Sequence, residues 1–423
     1  MKTLIKNGFV IDPGNSRIGK YDLLIEYDKI TSIDVQICSK ADQVIDASGK
    51  FVTPGFIDLQ VNPGQTIEKI CQILPFQGIT TPLIMPCNIY DKSFLDHYGS
   101  IENVLSISHG LPVNVANAIS MQPFDTHGHE TYSQFAIAHD AIKSRLEALA
   151  DLNVIAVGEV VLPIQGVAHI DSQVGESFLQ HLLTANETVG LPILLHTGLG
   201  EKGILRAVEI ANGRPLHICH VGSTTAQDNI HEVLSKISHH SNITTDTHLS
   251  EFAGVNSYKS ELVIKYLKEG QVVTIDPITL EPTLLTELES ADPPYYYTKP
   301  NLFENNMICA LSDGVDAIES DELGDGVRSA IMIKNFFNLI NAVSLNPLKI
   351  QMMARLIKKM TCNPAKILKL KKRGSLGLSQ YADINIIDLN QETIDTVLVN
   401  GQVVLLNGQL TGASPGVCLS LSQ

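Results

Sequence analysis

Between Val52 and Asp313 the chain repeats one pattern: a short apolar run that closes on a polar or ionisable residue, then a helix-like amphipathic segment. Eight runs fit it: Val52 to Gln60, Thr80 to Met85, Pro112 to Ile119, Val154 to Val160, Pro192 to His196, Leu216 to His220, Ile243 to His248 and Met307 to Asp313. Such runs read as parallel strands, because a parallel connection must travel back along the sheet and a helix is its usual carrier. Eight units of this kind predict an α/β fold, a (β/α)8 TIM-type barrel, whose chemistry collects at the C-terminal ends of the strands.

The two ends of the chain read differently. Leu4 to Ile11, Asp22 to Glu26, Ile30 to Ile33 and Gln43 to Ala47 are strand candidates separated by turn residues such as Asp12-Pro13-Gly14. Asp383 to Asp388, Thr393 to Val399 and Gln402 to Leu406 follow the same pattern, with Asn400-Gly401 as a hairpin turn. Strand-rich ends without helices of their own predict a small discontinuous β-sandwich domain over residues 1–51 and 365–423, around a barrel over 52–364.

Composition narrows the possible partners. A formal charge of −15, from 45 acidic and 30 basic residues, opposes a phosphate backbone, so no nucleic acid is expected. The one dense basic group, Lys366, Lys369, Lys371, Lys372 and Arg373, reads as cations at a helix C-terminus. No apolar stretch reaches the ~18 residues of a membrane span, and the seven cysteines lack Cys-x-x-Cys spacing. A cytoplasmic protein with reduced thiols and no membrane partner is expected.

Four ionisable residues close separate runs: Glu159, His196, His220 and Asp313. Barrel closure brings such ends together, and four buried ionisable groups without a shared purpose would each need its own compensating partner. A carboxylate and two imidazoles form a tripod for one divalent metal, zinc first and iron or manganese next, with a position left for water. Asp313 is then expected to be the catalytic residue, taking a proton from the attacking water and returning it to the leaving nitrogen. Hydrolysis of an amide or ring C–N bond of a small-molecule substrate follows.

The residues and their order resemble the amidohydrolase superfamily. Pro54-Gly55-Phe56-Ile57-Asp58 and Gly374-Ser375-Leu376-Gly377, followed by Ala382-Asp383-Ile384, are similar to its passages between sandwich and barrel. Met85-Pro86-Cys87-Asn88, Thr247-His248-Leu249, Asp292-Pro293-Pro294 and Cys362-Asn363-Pro364-Ala365 resemble dihydroorotases and hydantoinases within it. The resemblance implies metal ligands at His196 and His220, a catalytic aspartate at Asp313, and Glu159 where those enzymes usually carry a carboxylated lysine. It also places His248 and Asn88 against substrate.

The chain departs from that family at Gln60-Val61-Asn62, where His-x-His and a nearby carboxylate-binding arginine are usual. A carboxamide is a poor zinc ligand, so a single metal is expected, with Gln60 and Asn62 bonding water or substrate. Some amino-sugar deacetylases resemble this Gln-x-Asn arrangement and use one metal. Two other readings stand beside the hydrolase: an aminopurine-type deaminase, and an inactive dihydroorotase-like partner of a pyrimidine-pathway enzyme such as aspartate transcarbamoylase. A homo-oligomer is expected by family analogy.

Weaker signals have plainer readings. Asp125 to Glu130 holds a second His-x-His, His127 and His129, in a loop-like stretch, and His239 and His240 precede the seventh run as surface residues. Tyr295-Tyr296-Tyr297 either lines a pocket or packs on the barrel rim, and Asp321, Glu322, Asp325 and Arg328 read as a solvated loop.

Overall fold

The computed structural model describes residues 1–64, 66–85, 98–119, 139–152, 154–162, 172–197, 200–225, 229–255, 261–287 and 294–421. Eight parallel strands form the barrel in chain order: Phe56–Val61, Ile79–Ile84, Ala116–Ile119, Ala156–Leu162, Ile193–Thr197, Leu216–Ile218, Ile243–His248 and Ala317–Glu319. The first and last strands meet through two backbone hydrogen bonds, Asn62 N–H to the Glu322 carbonyl at 2.8 Å and Glu322 N–H to the Gln60 carbonyl at 3.1 Å.

Two runs resolve differently from their sequence reading. Val52 to Gln60 divides at Gly55, with Phe51–Pro54 joining the sheet of the chain ends and Phe56–Val61 entering the barrel. A Cβ on Gly55 would stand 2.2 Å from Thr80 Oγ1, so only glycine lets the chain cross so near the second strand.

The eighth strand is not the Met307 to Asp313 run. Those residues end the helix Leu302–Leu311, which buries Leu302, Asn305, Asn306, Cys309 and Ala310 along one face at helical spacing. Asp313-Gly314 is a turn, and the strand begins four residues past Asp313, at Ala317.

The ends of the chain build one nine-stranded sheet. Its order is Gln409–Leu410, Gln402–Leu406, Thr393–Val399, Ile384–Asp388, Phe51–Pro54, Lys2–Asp12, Arg17–Glu26 and Lys29–Asp34, with Gln43–Asp46 pairing Lys2–Asp12 in parallel. One apolar cluster runs from Ile387, Val397 and Val404 of this sheet to Phe336, Met353 and Leu356 of the barrel's last helices. A smaller four-stranded sheet between the seventh and eighth barrel strands holds the tyrosine triplet. Tyr297 stacks on Tyr266 at 4.5 Å, and the Tyr296 hydroxyl donates to Asp325 at 2.8 Å. The triplet therefore packs the rim. Among the described residues no helix is long and apolar enough to cross a membrane.

A buried ion pair joins sheet to barrel. Arg373, one of the basic residues read from sequence as a helix-end cation, is instead buried against Asp383. Asp383 also accepts from Asn114 Nδ2 at 3.2 Å, ahead of the third barrel strand, and from the Asn400 N–H at 2.8 Å. Removing one member of such a pair strands the other charge in a low-dielectric site. Asp383→Ala is expected to lower stability by about 3–5 kcal/mol in equilibrium denaturation.

Candidate metal centre

The fourth, fifth and sixth strands aim Glu159, His196 and His220 at one point. Glu159 Oε1 lies 2.9 Å from His196 Nδ1 and 2.8 Å from His220 Nε2, and the imidazole rings are 5.0 Å apart edge to face. All the donor atoms fall within 4.8 Å of one another. His220 is buried at 3% exposure whereas His196 retains 34%, so the group opens on the His196 side. Burial alone would raise the Glu159 pKa, but the two imidazoles outweigh it and hold the carboxyl well below its usual range.

His220 is held on every side. Its backbone adopts φ +45°, uncommon for a residue with a Cβ, and its N–H donates to Asp246 Oδ1 at 2.5 Å. The other oxygen of Asp246 lies 2.8 Å from His217 Nε2, so the seventh strand anchors the turn that presents His220. His220 Nδ1 faces Glu319 Oε1 at 3.3 Å. A carboxylate behind a ligating imidazole fixes its tautomer and raises its basicity. Burial would lower the His220 pKa, yet Asp321, Glu159 and Glu319 hold it well above normal.

Gln60 and Asn62 have separate tasks. Gln60 Nε2 donates to Asp321 Oδ1 at 3.0 Å and lies 3.4 Å from His220 Nε2. Asn62 Oδ1 accepts the Gly64 N–H at 3.0 Å and so shapes the turn after the first strand. That turn touches the loop after the eighth strand, where a Cβ on Gly324 would lie 2.2 Å from the Gly64 Cα.

The expectation for Asp313 does not hold. Its side chain is 87% exposed and pairs with Arg355 at 3.1 Å, because Asp313 belongs to the turn before the eighth strand rather than to the strand's C-terminal end. Glu319 and Asp321 occupy that end. The stretch read as a solvated loop is likewise interior. Glu322 Oε1 accepts the N–H groups of Leu323, Gly324, Asp325 and Gly326, its Oε2 accepts that of Ser329, and Arg328 is fully buried against Asp321.

His248 ends the seventh strand with its ring 6.4 Å from that of His220. Asn306 Nδ2 sits 3.2 Å from His248 Nδ1, while His248 Nε2 is buried without a hydrogen-bond partner. Burial first, then the charges of Arg328, His220 and Lys299, hold its pKa well below normal, so this imidazole is neutral. Lys299 is itself pushed down to about 8 by burial and donates to the Ser223 carbonyl. His239 and His240 are exposed. Asn88, His127 and His129 lie outside the described residues.

One carboxylate oxygen and two imidazole nitrogens, backed by Glu319, suit a divalent transition metal: the ligand types are those of catalytic zinc sites, and one side stays open. Two further close groups, His217-Cys219-Asp246 and His220-Asp246-Glu319, are buried. Burial pushes the Cys219 thiol far up, so it stays protonated and is a poor ligand.

Residues 51–404 match the sequence model of the amidohydrolase family. A dihydroorotase of Elusimicrobium minutum is 26% identical over 93% of this chain and 90% of its own length. Among solved structures, an N-acyl-D-glutamate deacylase of Bordetella bronchiseptica, determined with zinc and a phosphonate inhibitor, superposes with TM-score 0.73 at 16% identity over 99% of both chains. A dihydropyrimidinase of Brevibacillus agri superposes with TM-score 0.67 at 15% identity, over 99% of this chain and 98% of that one. These two share the barrel and its accompanying sheet domain.

The carboxylate behind His220 supplies a test of the centre. Glu319→Gln keeps the shape and replaces the carboxyl group by an amide, and is expected to weaken zinc affinity about 10–100-fold in a competitive chelator titration.

Proposed function

Because this chain belongs to the amidohydrolase family and so is a hydrolase of carbon–nitrogen bonds other than peptide bonds, we propose that it opens an amide or cyclic amide of a small molecule with one divalent metal per chain. The observation that carries this reading is the convergence of Glu159 Oε1 on His196 Nδ1 and His220 Nε2, at 2.9 and 2.8 Å. A metal bound there would polarise the substrate carbonyl and acidify water. Zinc suits the mixed oxygen and nitrogen set best, with iron or manganese as alternatives.

The chain's own residues divide the remaining work. Asp321, not Asp313, is the carboxylate beside the centre, tied to it through Gln60, whose Nε2 lies 3.0 Å from Asp321 Oδ1 and 3.4 Å from His220 Nε2. Asp321 accepts the proton released as water oxygen bonds to the carbonyl carbon. When the C–N bond breaks, that proton passes to the leaving nitrogen, and an acid and an amine result. His248, neutral and with Nε2 uncommitted, is placed to hydrogen-bond substrate, and Gln60 keeps Asp321 oriented.

The resemblance to dihydroorotases implies a carboxylate-binding arginine close after the first-strand pair, and Pro63-Gly64 supplies none. This favours amides other than dihydroorotate, since a charged contact missing from a buried site costs roughly 2–5 kcal/mol of recognition.

Protein purified without chelator is expected to carry about one metal per chain by elemental analysis, and none in His196→Ala/His220→Ala. No metal even after reconstitution would abandon the hydrolase reading for that of a silent scaffold. In a screen of amides and cyclic imides, Asp321→Asn is expected to retain metal and lose about 10²–10⁴-fold in turnover. Asp313→Asn should match the wild type.

A further inference from the structure

Arg328 occupies a position that its own helix does not explain. It lies in the first turn of Val327–Asn341, where the helix dipole disfavours a cation, and its side chain is fully buried. Nη1 donates to Asp321 Oδ2, while Nε and Nη2 have no hydrogen-bond partner. What holds the guanidinium there is acidic: Asp321 foremost and then Glu319, both from the end of the eighth strand.

Together these residues form a chain across the half of the site where the first and eighth strands meet. Gln60 Nε2 donates to Asp321 Oδ1 at 3.0 Å and Arg328 Nη1 donates to Oδ2, so both carboxylate oxygens receive N–H groups. Asn62 Oδ1 is engaged by the Gly64 N–H, which leaves Gln60 Oε1 as the one uncommitted acceptor of the two amides. Among the described residues Asp321 joins none of the close groups of metal-binding side chains, although Gln60 Nε2 links it to His220 of the Glu159-His196-His220 centre.

We propose that the Arg328 guanidinium serves as a built-in second cation, holding Asp321 with Gln60 and closing the strand-one and strand-eight half of the site to a divalent ion. This rests on the one-metal hydrolase reading and gives it a cause. The missing histidines are only part of that cause, because a permanent positive charge already neutralises the carboxylate a second ion would need. A guanidinium cannot be deprotonated at working pH, so the block does not titrate away. Arg328 is thus a positioning residue, acting on the reaction through Asp321.

Metal stoichiometry tests this without turnover. The apo-protein is titrated with Co²⁺ and followed by visible absorption and elemental analysis, in the wild type, in Gln60→His/Asn62→His, and in that pair combined with Arg328→Met, Arg328→Gln or Arg328→Lys. One Co²⁺ per chain is expected in the wild type, in the histidine pair and in the pair with Arg328→Lys. Two are expected once Met or Gln removes the charge. The Gln variant keeps a donor for Asp321 and stands in should the Met variant melt early. A second ion in the histidine pair with Arg328 present would overturn the inference alone, as would a single ion in the folded Met or Gln combinations, whereas a second ion in the wild type would overturn it together with the one-metal reading. No Co²⁺ in the wild type would remove the hydrolase reading and this inference with it.

Discussion

The site exists because the barrel closes, and the barrel closes through Glu322. Its backbone N–H and carbonyl bond the Gln60 carbonyl and the Asn62 N–H, joining the eighth strand to the first. Its carboxylate takes up five backbone N–H groups of the following loop and helix. A buried carboxylate at a helix N-terminus satisfies donors that the helix itself leaves open and matches the sign of the dipole. One residue thereby fixes where Gln60, Asp321 and Arg328 stand relative to the ligand strands.

Around that closure the interior is unusually rich in charge. Glu159, Glu319, Asp321, Asp246, His220 and Arg328 lie close together, in a region where an unpaired ion would cost several kcal/mol. The network persists because nearly every carboxylate faces an imidazole, a guanidinium or a backbone N–H. Its two halves differ in kind. Glu159, His196 and His220 bring their ligand atoms to a common point, as a metal requires, whereas Gln60, Asp321 and Arg328 bond one another.

Strand periodicity located the fourth to seventh strands, and with them Glu159, His196, His220 and His248, because a buried parallel strand must be apolar until it reaches the polar mouth. The eighth strand escaped that logic. Ala317–Glu319 is short and carries a buried glutamate, while the preceding Met307 to Leu311 is more apolar yet belongs to a helix packed by one face. Asp313-Gly314 carried the signal that separates them, a turn between two elements, and Glu319-Ser320-Asp321 follows it with acids on alternate residues. Asp321 to Arg328 looked solvated because a run of charges usually is, and nothing local reveals that backbone N–H groups and a carboxylate await it.

The order of residues by itself determined the fold class, the three residues of the candidate metal centre and the two amides at the end of the first strand, since each depends on residue type at a place in a repeating pattern. Only the tertiary structure decided which acid stands beside the ligands, that Gln60 serves Asp321 while Asn62 serves a turn, and that Arg328 lies inside. Those facts depend on contacts between the two ends of the barrel, some 260 positions apart along the chain. No local pattern encodes such pairs. They follow from closure, which brings together whatever residues the first and last strands carry.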